Sequence, residues 1–256
     1  MAPTELYVQR DQPTGVPPQH LTGERTLPDV PDDNYWFRRH LADYQWIGAR
    51  VHGRRVVDLA CGEGYGSAVL ARTAASVVGV DANPEAFEHA RLKYTRPGLG
   101  FERDMIETWS GEADCVVFLQ TIEHVQDPDA VLARLGALVG PRGVVYVSTP
   151  NVLTLAPAGE PRSGNPWHVR EYRPDEYRAL CARHFGAVDM LGLFHARKLR
   201  LHQLALEHAG WDAVHARLGI TRPFYDRFTP AISARDFRLR RGDLAGALDL
   251  LAVLRR

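Results

Sequence analysis

An alternating series of apolar runs and helical segments between residues 55 and 150 constrains the fold of this chain more than any other feature. Four valine-rich runs predict buried strands: RVVDLA (55–60), SVVGVD (76–81), DCVVFLQ (114–120) and GVVYVSTP (143–150). Strands that alternate with helices are joined by right-handed crossovers, which place helices on both faces of a parallel sheet. We therefore predict an α/β fold with a doubly wound, mostly parallel sheet.

The segments around these strands complete the predicted order of elements. NPEAFEHARLKY (83–94) predicts a helix with Asn83 as its N-cap. Further helices are predicted at 64–74, 127–139 and 174–185, and further strands at 99–104, 186–194 and 249–254. A loop rich in proline and glycine, 150–173, follows the strand that ends at Pro150.

Charge and composition exclude several classes of protein. Lys and Arg together number 31, as do Asp and Glu, so no nucleic-acid partner is expected. No apolar run approaches about 18 residues, and the N-terminus is polar and proline-rich, so neither a membrane span nor a signal peptide is predicted. The 3 widely spaced cysteines indicate a reducing compartment without disulfides. These features predict a cytoplasmic protein, and they leave its oligomeric state open.

A glycine-rich loop follows the first predicted strand, in VVDLACGEGYGS (56–67). Glycines such as Gly62 and Gly64 allow a sharp turn and a close approach of the backbone to a ligand, with a helix N-terminus facing it. The same pattern also fits a tight strand-to-helix turn that binds nothing.

Two carboxylates narrow the choice of ligand. Asp81 ends the second strand, where a carboxylate can accept both hydroxyls of a ribose. Asp58 lies inside the first strand and would repel a pyrophosphate, because both groups are anionic. It suits a ligand with an ammonium group instead. The pair therefore favours an adenosine with an amino-acid arm over NAD.

Five segments, taken in order, resemble the successive motifs of class I S-adenosylmethionine-dependent methyltransferases. They are DLACGEGYG, GVDANPEA, ERDM, CVVFLQTIEHVQDP and GPRGVVYVSTPN, and they fall within about residues 55–190. The resemblance implies a Rossmann-like methyltransferase fold that binds S-adenosylmethionine and releases S-adenosylhomocysteine.

The resemblance also implies roles for single residues. Gly62 and Gly64 would pass under the methionyl arm of the cofactor, and Asp81 would hold its ribose. The other implied cofactor contacts are Asp58 at the amino group, Ala82 beside Asp81, Asp104 and Met105 at the adenine, and Gln120 and Thr121 on the methyl-donor side.

Three segments outside this core are similar to actinobacterial methyltransferases associated with methylated polysaccharides, the methylglucose and methylmannose polymers. They are LTGERTLPDVPDDNYWFRRH (21–40), SGNPWHVREY (163–172) and GLFHARKL (192–199). The similarity implies an acceptor that is a saccharide or glycoside, either a small molecule or an oligosaccharide, methylated on a hydroxyl.

A hydroxyl acceptor needs a base to take its proton as the new bond forms, and histidine suits this role near neutral pH. Glu123 and His124 follow the fourth strand, and His168 lies in the loop after the fifth. We predict all three as catalytic residues, and the sequence leaves open which histidine takes the proton. Structural roles are the alternative, with Glu123 ordering backbone amides and His168 capping the next helix.

Further contacts are predicted around this group. Trp167 is expected to stack on a sugar ring, and Arg170, Glu171 and His195 are expected to contact the acceptor. A first helix is predicted at 34–51, and in it we predict that Tyr35 packs on the sulfonium and Arg38 binds the methionyl carboxylate. The ordinary alternative for that helix is an amphipathic surface with its arginines in water.

We divide the chain into a disordered tail (1–20), an N-terminal helical lid (21–54), a cofactor-binding core (55–194), a helical insertion (195–240) and a final core element (241–256). No metal site is predicted, although Glu123, His124, His168 and Glu171 could converge on a divalent ion. The alternatives to saccharide methylation are a non-sugar small-molecule acceptor, an NAD-dependent oxidoreductase and a nucleotide-binding module without catalysis.

Overall fold

The computed structural model describes residues 8–23, 25–209 and 222–256. Over these residues eight strands form one sheet, in the order β3-β2-β1-β4-β5-β8-β6-β7. The strands are β1 (Arg55–Leu59), β2 (Ser76–Val80), β3 (Leu99–Glu102), β4 (Ala113–Leu119), β5 (Val139–Pro150), β6 (Ala187–His195), β7 (Phe237–Arg240) and β8 (Asp249–Arg255).

The sheet is mostly parallel, as predicted. β1, β2, β3, β4 and β5 pair in parallel, β8 runs antiparallel to β5 and β6, and β7 runs antiparallel to β6. β1 lies between β2 and β4, so the chain order reverses there, and ligands of open α/β sheets bind at the carboxyl ends of strands at such a point. The predicted α/β class is confirmed.

Helices cover both faces of the sheet. They are α1 (Asn34–Gly48), α2 (Tyr65–Leu70), α3 (Pro84–Lys93), α4 (Pro128–Ala137), α5 (Val152–Leu155), α6 (Pro174–Ala182), α7 (Arg197–Ala209) and α8 (Arg222–Phe228). Asn83 caps α3 as predicted, since its side chain accepts hydrogen bonds from the amides of Glu85 and Ala86.

Alternation along the strands divides the apolar core into two layers. In β4, Val116 and Phe118 face the layer that includes Leu132 of α4, while Cys115 and Val117 face the layer with Ile47 of α1. Successive side chains of a strand point to opposite faces, so one valine-rich run is buried on both sides. The 3 cysteines are buried and form no disulfide.

The insertion predicted at 195–240 is only partly helical. It contains α7 and α8, but Phe237–Arg240 forms β7 on the edge of the sheet. A four-residue edge strand is too short for a periodicity signal, which is why the sequence did not show it. The predicted last strand is confirmed as β8. Residues 210–221 lie outside the described part of the chain.

We predicted a disordered tail at 1–20, but residues 8–20 are ordered and pack on the rest of the protein. Residues 1–7 lie outside the described part of the chain. Val8 and His20 form an antiparallel bridge, and Gln9 and Gln19 are buried. The segment contains few apolar residues, so composition suggested no packing. It is held by hydrogen bonds instead, such as that between Nδ1 of His89 and the Pro17 carbonyl (2.7 Å).

No helix among residues 8–23, 25–209 and 222–256 has the length and apolar character needed to cross a membrane.

Candidate active site

Two adjoining cavities, each of about 400 Å³, open at the carboxyl edge of the sheet. The glycine-loop cavity is lined by Arg25, Thr26, His40, Tyr44, Ala60, Cys61, Gly62, Glu63, Tyr65, Asp81, Leu119, Gln120, Thr121, His124 and Trp167. The histidine cavity is lined by Leu21, Gly23, Arg25, Thr26, Asp32, Asp33, Trp36, Arg39, His40, Gln120, Glu123, His124, Pro150, Leu155, Asn165 and His168. The two share Arg25, Thr26, His40, Gln120 and His124, and we call these residues the shared wall.

The glycine loop has the backbone geometry that its residues allow. Gly64 has φ of 94°, and a Cβ placed there would lie 2.7 Å from Cβ of Ala90, so only glycine fits between the loop and α3. The amide of Gly62 donates to Oδ2 of Asp81 (2.7 Å), and the amide of Asn83 donates to Oδ1 (2.9 Å). The Asp81 carboxylate is therefore fixed at the cavity wall, with one backbone hydrogen bond on each oxygen.

Two non-glycine residues with left-handed backbone lie directly after neighbouring strands. Ala60, after β1, has φ of 55°, and Gln120, after β4, has φ of 51°. Such conformations cost free energy and cluster at functional sites. Both residues line the glycine-loop cavity, and the side-chain amide of Gln120 donates to Oγ of Ser148 (3.0 Å). The positions predicted for Gln120 and Thr121 therefore coincide with the cavity.

Asp58 lies beneath the cavity and does not line it. Its carboxylate is fully buried and accepts hydrogen bonds from the hydroxyls of Ser67 (2.6 Å) and Tyr44 (3.2 Å). Burial raises the pKa of Asp58 to about 7, and these hydrogen bonds oppose the rise. Its predicted contact with the cofactor amino group stays a prediction. Tyr44 lines the cavity and donates to Asp58, so it connects this carboxylate to the cavity.

Glu63, which was not predicted from the sequence, joins the N-terminal segment, by which we mean residues 8–23 and 25–33, to α3. It is 1% exposed and lines the glycine-loop cavity. Its carboxylate accepts five hydrogen bonds, from Gln9 Nε2 (3.1 Å), Tyr65 N (3.1 Å), His89 Nε2 (2.9 Å), Lys93 Nζ (2.8 Å) and Tyr94 OH (2.8 Å). No local pattern indicated this role, because most of the partners are distant along the chain.

Glu123, His124 and His168 come together at the histidine cavity. One ligand atom of each lies within 4.8 Å of the others. Burial raises the pKa of Glu123 to about 8, and the neighbouring Thr149 opposes the rise, although its hydroxyl completes no hydrogen bond with the described residues. The rings of His124 and His168 meet edge to face, with centroids 5.1 Å apart. The structure thus brings the three predicted catalytic residues to one place.

The loop after β5 holds His168 firmly. Nδ1 of His168 is 2.7 Å from Oε1 of Glu171, whose other oxygen accepts the amide of Ser163 (2.8 Å). Glu171 lies behind His168 and lines neither cavity, and the exposed Arg170 also lies outside both. Trp167 is 47% exposed at the rim of the glycine-loop cavity.

Several predicted contacts lie away from both cavities. The Tyr35 hydroxyl is 2.7 Å from Nε2 of His195, and the two rings pack beside Phe237. Arg38 donates to Oδ1 of Asn34 (3.0 Å). Asp104, Met105 and Ala82 lie on loops and are not among the lining residues of either cavity.

Residues of the N-terminal segment and α1 other than Tyr35 and Arg38 line the two cavities. Arg25 and Thr26 belong to the shared wall, as does His40. Burial lowers the pKa of His40 to about 4, so its ring is neutral at neutral pH. His40 and Tyr44 are four residues apart, so they share the face of α1 that turns toward the cavity, and this spacing was the available sequence signal.

Known proteins share the sequence pattern behind this geometry. The sequence matches a methyltransferase-domain family over residues 36–215. The chain belongs to the class I S-adenosylmethionine-dependent methyltransferases. A probable S-adenosylmethionine-dependent methyltransferase of Mycobacterium tuberculosis (strain H37Rv) is 35% identical over 245 residues, which are 91% of this chain and 88% of that protein.

Two further relatives agree. A probable S-adenosylmethionine-dependent methyltransferase of Mycolicibacterium smegmatis is 34% identical over 252 residues, 94% of this chain and 95% of that one. A crystal structure from Thermotoga maritima, described as a possible histamine N-methyltransferase, has a TM-score of 0.60 at 15% identity and covers 89% of this methyltransferase and 96% of its own chain. At that identity it shows the fold alone. The family match removes the NAD-dependent alternative.

Proposed function

We propose that this methyltransferase transfers the methyl group of S-adenosylmethionine to a hydroxyl of a saccharide or glycoside. The observation that carries the proposal is the pair of cavities that meet at the shared wall. One cavity contains the glycine loop and Asp81, and the other contains carboxylates and imidazoles. A donor and an acceptor bound side by side would meet at Gln120 and His124.

The glycine-loop cavity fits the cofactor. Each oxygen of Asp81 accepts one backbone hydrogen bond and keeps a lone pair for a ribose hydroxyl. The loop at Gly62 lets the backbone approach the methionyl arm closely. Arg25, a cation in the shared wall, is the residue we assign to the methionyl carboxylate in place of Arg38.

The histidine cavity fits a polyhydroxylated acceptor. Its lining includes the carboxylates of Asp32 and Asp33 and the amide of Asn165, which are partners for sugar hydroxyls. Trp36 lines the same cavity and is 41% exposed. Aromatic faces with nearby polar groups suit a sugar ring, which presents both apolar C–H groups and hydroxyls.

Methyl transfer needs alignment and loss of a proton. S-adenosylmethionine supplies an activated methyl group when bound. The acceptor oxygen attacks the methyl carbon as the S–C bond breaks, which gives the methyl ether and S-adenosylhomocysteine. The shared wall aligns oxygen and methyl. The cluster of Glu123, His124 and His168 promotes release of the hydroxyl proton, which passes to solvent.

A panel of acceptors tests this proposal. The methyltransferase is incubated with methyl-labelled S-adenosylmethionine and either oligosaccharides, phenols, amines or carboxylic acids, and the product is analysed by NMR. We expect label on a sugar hydroxyl. Transfer to a phenol, amine or carboxylic acid without transfer to any saccharide would overturn the proposal in favour of the non-sugar alternative.

A matched pair of variants examines the histidine cavity. Trp36→Ala is expected to raise KM for the saccharide about tenfold, since loss of a stacked aromatic contact costs on the order of 1.4 kcal/mol, while KM for the cofactor stays unchanged because Trp36 lines only the histidine cavity. Leu153→Ala removes another exposed apolar side chain, outside both cavities, and should change neither constant.

A further inference from the structure

The convergence of Glu123, His124 and His168 can do more than transfer a proton. Glu123 and His124 lie in the 3₁₀ turn Ile122–His124 after β4, and His168 lies in the loop after β5. One nitrogen or oxygen of each lies within 4.8 Å of those of the other two. Two imidazoles and a carboxylate at this range are a ligand set for a metal ion.

The hydrogen bonds of both histidines orient Nε2 as the coordinating atom. Nδ1 of His124 is 2.8 Å from the Trp167 carbonyl, which only accepts, so Nδ1 carries the hydrogen. Nδ1 of His168 donates to Glu171 in the same way (2.7 Å), and its unprotonated Nε2 accepts a hydrogen bond from the side-chain amide of Asn165 (3.1 Å), which a bound ion would replace at that nitrogen. Metal-bound histidines are held in this manner, with the second nitrogen donating to a carbonyl or carboxylate.

Glu123 supplies a second, independent observation. Its side chain is 2% exposed, and Oε2 accepts no hydrogen bond from any described residue. Oε1 lies 4.0 Å from Nε2 of His124. A buried carboxylate oxygen without a donor is costly, and a cation bound beside it compensates for that cost.

We infer that Glu123, His124 and His168 bind one divalent first-row transition ion at the wall of the histidine cavity. The mixed nitrogen and oxygen ligands suit Mn²⁺ or Zn²⁺ better than Mg²⁺ or Ca²⁺, which prefer oxygen alone. The role of the ion, to make the acceptor hydroxyl more acidic, rests on the proposed function, whereas the binding itself does not.

Metal titration of the full chain tests the site without any acceptor. After removal of metals with a chelator, Mn²⁺ binding is followed by electron paramagnetic resonance and Zn²⁺ binding by calorimetry. We expect one ion per chain. Glu123→Gln and His168→Ala should each weaken binding at least tenfold. His52→Ala, at an exposed histidine away from both cavities, should bind as the unaltered protein does.

His124→Gln serves as a further variant in case the two buried substitutions impair folding, because the His124 side chain is 26% exposed. Absence of stoichiometric binding by the unaltered protein, or unchanged binding by all three variants, would overturn the inference. Saccharide methylation without metal binding would contradict the metal site and leave the proposed function standing. Metal binding without saccharide methylation would support the metal site and contradict the proposed function.

Discussion

Two buried carboxylates, one beside each cavity, differ in how their oxygens are satisfied. Glu63 accepts five hydrogen bonds, one of them from the ammonium of Lys93. Glu123 is buried as deeply, yet its Oε2 accepts none from the described residues. A carboxylate whose partners are all supplied by the fold stabilises that fold, whereas one left without donors is available to a ligand.

Asp58 is intermediate between these two. Both of its oxygens accept hydrogen bonds, but the donors are the neutral hydroxyls of Tyr44 and Ser67. Hydroxyls stabilise the carboxylate less than a cation does, so burial still raises its pKa to about 7. Glu63, Asp58 and Glu123 therefore form a series in which the fold supplies fewer and weaker partners to the carboxylate at each step. Three variants test this series.

Glu63→Gln is expected to have the largest effect on stability. The substitution removes the charge that pairs with Lys93 and leaves the fully buried His89 without its carboxylate partner. We expect the free energy of unfolding to fall by about 3 kcal/mol in denaturant titrations. Glu85→Gln, at an exposed position in the first turn of α3, is the control and should change it by less than about 0.5 kcal/mol. Equal effects of the two substitutions would contradict the structural role of Glu63.

Asp58→Asn should change how stability depends on pH. Below about pH 4 the folded and unfolded chains both hold Asp58 protonated. Between pH 4 and about 7 the unfolded chain loses this proton and the folded chain keeps it, so folding is progressively weakened, by up to about 4 kcal/mol in total. An asparagine side chain does not titrate, so the stability of the variant relative to the unaltered protein should rise from pH 4 to about pH 7. Above about pH 7 this difference should stay constant.

Urea unfolding of both proteins at a series of pH values measures this difference. Curves of unfolding free energy that stay parallel from pH 4 to pH 8 would show that Asp58 is ionised in the folded protein over this range. Asp58 would then no longer be intermediate between Glu63 and Glu123.

Glu123→Gln should have the smallest effect on stability. Burial raises the pKa of Glu123 to about 8, so near neutral pH the substitution exchanges a largely protonated carboxyl group for an amide and disturbs no hydrogen bond of Oε2 with the described residues. The free energy of unfolding should therefore change by less than about 1 kcal/mol at pH 7, measured without metal. Methyl transfer should nevertheless fall. A destabilisation comparable to that of Glu63→Gln would contradict the distinction between the two carboxylates.

The glycine-loop cavity was largely predictable because its parts are local. Gly62, Asp81 and Gln120 each follow a valine-rich strand, and the carboxyl ends of adjacent parallel strands meet at one edge. Local sequence also determines the positive φ at Gly64 and the cap at Asn83. The short edge strand β7 was missed, because four residues carry too little pattern.

The histidine cavity was predictable only in part. Glu123, His124 and His168 were found because they follow strand ends, but Arg25, Asp33 and His40 reach the cavity through packing of the N-terminal segment and α1. Tyr35 and Arg38 lie on the same helix as His40, and only the rotation of α1 decides which of them faces the cavities. That rotation depends on distant contacts, such as the buried pair of Arg39 and Asp249 (2.5 Å).

The sequence by itself determined the α/β class, the succession of strands and helices along the chain and the turns that follow the strands, because strand periodicity, glycine turns and helix caps are properties of neighbouring residues. Only the tertiary structure decided which polar side chains line the histidine cavity and which are satisfied inside the fold. The partners of Glu63 and the missing partner of Glu123 among the described residues are matters of contact between segments far apart in the chain, and no local pattern encodes them.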